Sequence, residues 1–133
     1  MANKNDDFSA IRLSFQNKCL ELMGISEKIR YVGIINRYGR TVAGKLRKNV
    51  TPLLSPEQAR DEHFVEAIRQ QLRNSFNESI GKTDFSITKN DLVTLVLVPS
   101  TKDNLLIYIT LDRDVPLQDV SDVIVKIKEI DSK

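Results

Sequence analysis

The stretch Ile29–Leu46 reads Ile-Arg-Tyr-Val-Gly-Ile-Ile-Asn-Arg-Tyr-Gly-Arg-Thr-Val-Ala-Gly-Lys-Leu, with a polar tetrad between two apolar runs. The runs are Tyr31–Ile35 and Thr41–Leu46, and the tetrad begins at Asn36 and ends at Gly39. Glycine readily takes the positive φ angle that a tight hairpin with a bulge requires. An asparagine side chain can bond the backbone two residues further on. We therefore predict a β-hairpin whose first strand is apolar on both faces and lies near the centre of a sheet.

The length and composition are those of one soluble domain. The chain has 133 residues, of which 41% are hydrophobic and 29% charged, and this size suffices to bury one core without disulfides or metals. The net charge of +2 is too small to indicate nucleic-acid binding by itself. The single cysteine excludes an intramolecular disulfide and any multi-cysteine metal cluster. We expect one domain over residues 1–133, with the polar segment Met1–Asp7 disordered.

Two further features concern the compartment. No run approaches the ~18 consecutive apolar residues that a membrane-spanning helix needs. The polar start of the chain does not resemble a secretory signal peptide either. We therefore expect a cytoplasmic protein that does not enter a membrane.

The residues before the hairpin show the spacing of a helix with one apolar face. Gly24 follows the last of them and is predicted to end the helix. Cys19 lies within the apolar face, so we interpret it as a small core residue rather than a reactive thiol. The apolar face consists of Phe8, Ile11, Phe15, Cys19 and Leu22, widened by Leu20 and Met23.

The clearest helix start follows the hairpin. Ser55 is the predicted N-cap, Pro56 suits the first helical position, and Gln58 can complete a capping box. We expect this middle helix to run to about Ser79 and to be ended by Gly81. Its apolar residues recur at every fourth position, so we expect that stripe to cover a sheet while the polar side meets water or a partner. The stripe consists of Phe64, Ile68, Leu72 and Phe76.

Three apolar segments in the second half of the chain predict three more strands. They are Thr83–Thr88, Leu92–Val98 and Leu105–Leu111, and the last two are apolar enough to be buried on both faces. A strongly amphipathic helix ends the chain, with apolar residues at Val120, Val123, Ile124, Ile127 and Ile130.

The predicted order of elements is α-β-β-α-β-β-β-α, which is an α+β domain with three helices. If the middle helix crosses over between the hairpin and the three later strands, the five-stranded antiparallel sheet has the order 2-1-5-4-3. Strands one and five then lie at its centre, in agreement with their apolar composition.

This order of elements, together with the hairpin segment Val32–Ala43, resembles the roadblock/longin/profilin-like group. Its members often place a polar-X-X-Gly turn between the first two strands. The longer stretch Arg30–Ala67 is similar to small, single-domain archaeal proteins. The resemblance covers nearly the whole chain and implies a binding or scaffold module, commonly a homodimer and sometimes a regulator of a small GTPase. A shared fold does not transfer site residues, and we match the basic segment Lys45–Lys48 to no functional motif of the group.

The sequence contains no recognisable catalytic motif. A P-loop, a dinucleotide-binding fingerprint, a nucleophile elbow and a zinc-binding HExxH motif are all absent, so we predict no enzymatic activity, no cofactor and no metal. The only histidine, His63, stands among acidic residues and could bind a metal or shuttle protons. We favour instead a helix-surface side chain bonded to solvent or to a carboxylate. Asp112 and Asp114 flank Arg113, and we expect these acids to cap the final helix and to be neutralised locally.

A cluster of cations marks the hairpin and its exit. No acidic residue occurs between Glu27 and Glu57 to neutralise it nearby in sequence. One interpretation is protection of a sheet edge, because lysines on an edge strand prevent pairing with another sheet. The other is a docking site for an acidic protein; nucleic acid is disfavoured, since Tyr38 is the only nearby aromatic for base stacking. The predicted partner-binding residues are Arg37, Arg40, Lys45, Arg47 and Lys48.

Gly33 and Gly44 leave space beside the two hairpin strands. Close packing of a helix would explain both glycines. The alternative is a small-ligand sensor of PAS or GAF type, with its ligand held against them. Our leading interpretation is a cytoplasmic, non-enzymatic interaction module that forms a homodimer through the middle helix, Glu57–Ser79, or the adjacent edge strand.

Overall fold

A computed structural model describes residues 4–133 of the chain, with side chains from residue 9 onward. The described residues form four helices and five strands. The helices are α1 (Lys4–Met23), α2 (Pro56–Asn74), α3 (Asn77–Ile80) and α4 (Leu117–Asp131). The strands are β1 (Ile29–Ile35), β2 (Thr41–Leu46), β3 (Ser86–Lys89), β4 (Val93–Pro99) and β5 (Leu106–Asp112). Helix α1 thus begins within the segment for which we expect disorder, and residues 1–3 lie outside the described part of the chain.

The five strands form one antiparallel sheet in the order β2-β1-β5-β4-β3, which confirms the predicted topology. Strands β1 and β5 occupy the centre, and β2 and β3 form the two edges. Helices α1 and α4 cover one face of the sheet, and α2 covers the other. The element order differs from the prediction only by the additional short helix α3.

The hairpin between β1 and β2 is built as predicted. Gly39 has a φ angle of +81°, and its N–H donates to the Asn36 carbonyl at 2.9 Å. The Asn36 side chain accepts from the N–H groups of Tyr38 at 2.9 Å and Arg40 at 3.0 Å. The pairing register shifts just after Ile34, which marks a β-bulge beside the turn.

The larger core lies between the sheet and helices α1 and α4. Cys19 is 1% exposed within it, as predicted. Burial raises the pKa of the Cys19 thiol to about 11, so the thiol is neutral and unreactive at ordinary pH. The fully buried side chains around it include Leu22, Ile29, Val32, Ile109, Leu111 and Ile127.

Helix α1 is buried only toward its C-terminal end. Ile11 and Leu20, which the helical spacing places on the buried face, are 53% and 55% exposed. All side chains of residues 9–14 are exposed, so the start of α1 extends beyond the core. The helix ends as predicted before Gly24, whose N–H donates to carbonyls of the last turn.

Helix α2 begins as predicted but faces the other way. Ser55 Oγ accepts from the Gln58 N–H at 3.2 Å, and Gln58 Oε1 accepts from the Ser55 N–H at 3.0 Å, which completes the capping box. The apolar stripe that we expected on the sheet points to solvent: Phe64, Leu72 and Phe76 are 55%, 67% and 50% exposed. The side of α2 that contacts the sheet carries His63, Glu66, Ala67 and Gln70.

The middle helix also ends earlier than predicted. It stops at Asn74, where the Ser75 hydroxyl donates to the Leu72 carbonyl at 2.8 Å. The separate helix α3 follows and is ended by Gly81, which has a φ angle of +90°. Ser75 competes for a helical carbonyl in the way that makes serine a frequent helix terminator.

The acids that flank Arg113 do not cap the final helix. Asp112 pairs with Arg30 at 3.1 Å, and Asp114 pairs with Lys28 at 3.1 Å. Pro116 occupies the N-cap position of α4 and offers no side-chain cap. The prediction is therefore wrong, because both carboxylates find partners that are distant in sequence.

Candidate functional site

A polar layer lies between α2 and the sheet. His63 is 5% exposed, and its Nδ1 lies 3.1 Å from the Thr41 hydroxyl. Its ring centroid is 4.6 Å from that of Tyr108 and 5.9 Å from that of Tyr31. Burial lowers the pKa of His63, so its imidazole is neutral at pH 7. The expected contact with solvent or a carboxylate is therefore wrong: the side chain is packed between two tyrosines.

Two glutamates complete this layer. The Tyr108 hydroxyl donates to Glu62, and Arg69 contacts Glu66 at 3.3 Å. Burial raises the pKa of Glu62, and the negative charge of Glu66 adds to the rise. Burial and the bond to Glu62 likewise raise the pKa of Tyr108. Polar contacts of this kind fix α2 to the sheet and leave its large apolar side chains free.

The sequence does contain a pattern that indicates this polar layer, but the more conspicuous apolar periodicity of α2 makes it hard to recognise. Residues 63, 66, 67 and 70 are spaced three and four apart, so they form a second stripe on the helix beside the apolar one. The small side chain of Ala67 in that stripe is 1% exposed and allows a close approach to the sheet.

The outward side of α2 and the turn after it carry what we call the apolar stripe, which is formed by Phe64, Val65, Ile68 and Leu72 of α2 and by Phe76. Four of these side chains are at least half exposed. The stripe residues other than Phe76 line a shallow groove of about 450 Å³ together with two arginines, Arg69 and Arg73. The guanidinium of one of them, Arg73, lies 5.3 Å from the Phe76 ring centroid. Contiguous apolar side chains of this size on a surface are typical of a protein–protein interface.

The basic residues predicted to bind a partner divide into two groups. Arg47 is partly buried, and its Nε donates to the Ile29 carbonyl at 2.5 Å. Its Nη2 donates to the carbonyls of Met23 at 2.8 Å and Ser26 at 2.7 Å. Arg47 therefore holds the end of α1 against β1, and its Nε and Nη2 donors are engaged within the chain.

The remaining four cations form what we call the basic hairpin surface: Arg37, Arg40, Lys45 and Lys48. All four are exposed, and within the described residues none of them forms an ion pair. The guanidinium of Arg37 lies 5.0 Å from the Tyr38 ring centroid. The charge of these four side chains is therefore not neutralised by an ion pair in that part of the chain.

The space beside Gly33 and Gly44 is occupied by a side chain of the hairpin itself. A Cβ on Gly33 would lie 2.9 Å from the Tyr31 ring, and a Cβ on Gly44 would lie 2.5 Å from the Tyr31 hydroxyl. The two glycines thus make room for a tyrosine that also stacks on His63. A ligand held against them, as in the alternative sensor hypothesis, would have to displace this ring.

The described residues contain neither a metal-binding group nor a membrane-spanning helix. No group of three or more His, Cys, Asp or Glu side chains in the described part of the chain is arranged to hold a metal ion. Within the same residues, no helix combines the length and apolar character needed to cross a membrane.

Comparison with known proteins finds similarity in structure only. No protein-family profile matches the sequence, and no curated protein matches it either.

Several solved structures share the fold. The gliding protein MglB from Thermus thermophilus superposes with a TM-score of 0.67 at 14% identity, over 98% of this chain and 90% of that one. An MglB with a tetrameric arrangement gives 0.66 at 13% identity, over 99% and 93%. A Roadblock/LC7 domain from Streptomyces avermitilis gives 0.61 at 9% identity, over 84% and 91%. The sheet order, the placement of the helices and these superpositions agree, and the chain has the roadblock fold.

Proposed function

We propose that this chain is a non-enzymatic interaction module that forms a homodimer through the apolar stripe of α2. The orientation of α2 carries the proposal, because the helix turns its polar side to the sheet and keeps its large apolar side chains in water. Burying one such side chain is worth about 1.5–3 kcal/mol, so covering several of them can offset the entropy lost on association. Similarity in fold to an MglB of tetrameric arrangement supports an assembly of like chains.

The edge strand β3 extends the same surface. Arg69 of α2 lies 3.5 Å from the Thr88 hydroxyl on β3, and Phe85, just before β3, is 44% exposed. A two-fold homodimer interface is self-complementary, with the same patch on both subunits. We therefore expect the two stripes to pack on each other with β3 at the border of the contact.

Sedimentation equilibrium at micromolar concentration tests the dimer. We expect a mass near twice the 15.2 kDa of the chain, and a Leu72→Asp variant should sediment as a monomer because it places a charge in the stripe. Leu117→Asp is the matched control, since Leu117 is 70% exposed on α4 and lies outside the stripe. A wild-type chain that sediments at 15.2 kDa, or an equal effect of the two substitutions, would contradict the proposal.

A second partner of a different kind completes the proposed function. We expect the basic hairpin surface to dock an acidic protein, and a small GTPase is the class that the roadblock resemblance suggests. The support is its four exposed cations, which have no ion pair within the described residues. Charges of this kind accelerate association with an acidic surface, and the effect weakens as salt rises.

Charge reversal tests this docking. Lys45→Glu with Lys48→Glu should lower the association rate with the purified partner, and the lowering should shrink at high salt. Lys126→Glu, on the exposed side of α4, is a control for charge reversal elsewhere on the chain. Arg47 is left intact because its guanidinium bonds three backbone carbonyls. An unchanged association rate in the double variant would contradict this docking. The basic hairpin surface would then serve only to prevent the β2 edge from pairing with another sheet.

A further inference from the structure

The outer edge of β2 offers unpaired backbone groups. The Arg47 N–H donates to the Arg30 carbonyl of the neighbouring strand at 2.8 Å. Because bonded and non-bonded pairs alternate along an antiparallel ladder, the register places Gly44 and Leu46 at non-bonded positions. Their N–H and C=O groups therefore point away from β1, and both residues are exposed. This edge lies at the opposite end of the sheet from β3, so the proposed dimer leaves it open.

Helix α1 exposes a leucine on the flank nearest to this edge. It packs over β1 and β2, whereas α4 packs over β4. Lys18 marks the flank of α1 that faces α4, because its Nζ contacts Asp131 at 2.7 Å. At about 100° per residue, Leu20 lies roughly 160° around the helix from Lys18, on the flank turned away from α4 and toward the edge of β2. Leu20 is 55% exposed, so one large apolar side chain on this flank is open to solvent.

Positive charge borders the same edge. Arg40 precedes β2, Lys45 lies within it and Lys48 follows it, and all three are free of ion pairs within residues 9–133. Pairing of this edge with the same edge of a second copy would bring like charges together and is disfavoured. A strand that carries carboxylates would instead be attracted.

We propose that the outer edge of β2, beside α1, binds an acidic, extended segment of a partner protein, which joins the sheet as a sixth strand. The backbone of Gly44 and Leu46 supplies the hydrogen bonds, as in other cases of strand addition. An apolar side chain of the segment contacts Leu20, and its carboxylates reach the cations that border the edge. This inference rests on the proposed docking of an acidic partner and is independent of the homodimer.

A synthetic peptide tests the inference with a defined probe. The probe is a capped eight-residue peptide, Glu-Glu-Val-Val-Glu-Glu-Val-Val, in which each face of the strand carries both a carboxylate and an apolar side chain. A peptide with lysine in place of each glutamate is the control. In titrations followed by backbone amide NMR, the acidic peptide should give saturable shifts centred on Gly44 and Leu46. It should also slow the hydrogen exchange of those two amides by at least about tenfold, because they become hydrogen-bonded. The lysine–valine peptide should do neither.

Variants show whether the predicted contacts carry the binding. Lys45→Glu should weaken binding of the acidic peptide by about fivefold or more, since an attraction becomes a repulsion, while Lys126→Glu should leave it near the wild-type value. Leu20→Asn should weaken it as well, because Leu20 is expected to touch the peptide. The amide spectrum of each variant shows directly whether the fold is kept.

The outcomes separate this inference from the proposed function. Equal binding of both peptides, or shifts without slowed exchange at Gly44 and Leu46, would overturn strand addition and leave the homodimer untouched. The Leu72→Asp variant should bind the acidic peptide as the wild-type chain does, because the stripe on α2 lies on the other face of the sheet. Loss of peptide binding in that variant would also contradict the inference.

Discussion

Replacement of Gly39 by alanine tests how the hairpin is joined to α2. The glycine has a φ angle of +81°, and its Cα faces the backbone of the helix. A Cβ at this position would lie 2.5 Å from Phe64 Cα and 2.8 Å from Phe64 N. Backbone atoms inside a helix cannot move aside as the end of a flexible side chain can, so the hairpin tip or the helix must shift.

Two costs add up at this position. A residue with a side chain in the left-handed region loses about 1–2 kcal/mol relative to glycine. Overpacking of a close contact costs typically about 1–3 kcal/mol. We therefore expect Gly39→Ala to lower the free energy of unfolding by about 2–5 kcal/mol, the sum of these two ranges. Urea denaturation at fixed protein concentration measures this loss, since a dimer is more stable at higher concentration.

Two further variants separate the costs. Gly81 has φ +90° and ψ 165°, a backbone region that is essentially restricted to glycine, and a Cβ added there would have no atom within 4 Å. Gly81→Ala therefore reports backbone strain without a collision. Gly39→Asn reports the reverse, because asparagine tolerates the left-handed region but still carries a Cβ. We expect Gly39→Asn to remain destabilised by about 1–3 kcal/mol. Full stability of Gly39→Asn would refute the close contact between the hairpin tip and α2.

Three more predictions concern stability. Thr94 is 1% exposed and its hydroxyl has no hydrogen-bond partner among the described residues, so Thr94→Val should raise the free energy of unfolding by about 1 kcal/mol in urea; a loss of stability would show that the hydroxyl is satisfied. Burial alone would raise the pKa of Asp131, but the bond to Lys18 lowers this pKa to about 2. The resulting stabilisation is present above pH ~3.8 and is lost as the pH falls toward 2, so Asp131→Asn should cost about 2 kcal/mol at pH 7 and much less at pH 2. Burial lowers the pKa of His63, so the unfolded chain takes up the proton first and stability should fall as the pH drops below ~6.5. Thermal melts of wild type and His63→Gln between pH 7.5 and 5.5 check this, and an identical pH dependence of the two would contradict it.

The sheet could be predicted from the sequence because its signals are local. The turn at Asn36–Gly39 and the dense apolar strands each specify one element, and short connections leave few ways to join them. The capping box at Ser55 likewise needs only four neighbouring residues. Such features depend on residues that are close in sequence and not on tertiary contacts.

The orientation of α2 could not be predicted in the same way. Periodicity identifies an apolar stripe, but it does not say whether the chain itself or another molecule covers that stripe. Here Tyr31 and Tyr108 rise from the sheet and bring their own bulk and hydroxyl groups. A small and polar helix side formed around His63 and Ala67 therefore fits on them better than phenylalanines would. Because the polar side of α2 packs on the sheet, its apolar side faces outward.

In the candidate site, too, the sequence predicts the local features but not those that depend on long-range contacts. Four of the five predicted cations are exposed, as a docking surface requires. Arg47 differs because the carbonyls that it binds come from the end of α1 and from β1, and such long-range partners are invisible in the order of residues. The sequence indicates free space at Gly33 and Gly44, but the side chain that fills this space is fixed only by the register of the hairpin.

Isotope-filtered NMR on mixed chains tests the homodimer most directly. One half of the sample carries ¹³C-labelled chains and the other half unlabelled chains, so that only contacts between different copies give signals. We expect such signals between the side chains of Phe64, Leu72 and Phe76, because the two apolar stripes should pack on each other. Their absence at a concentration where the chain has dimeric mass, or signals that arise only from the edge of β2, would contradict the assignment of α2 as the dimer surface.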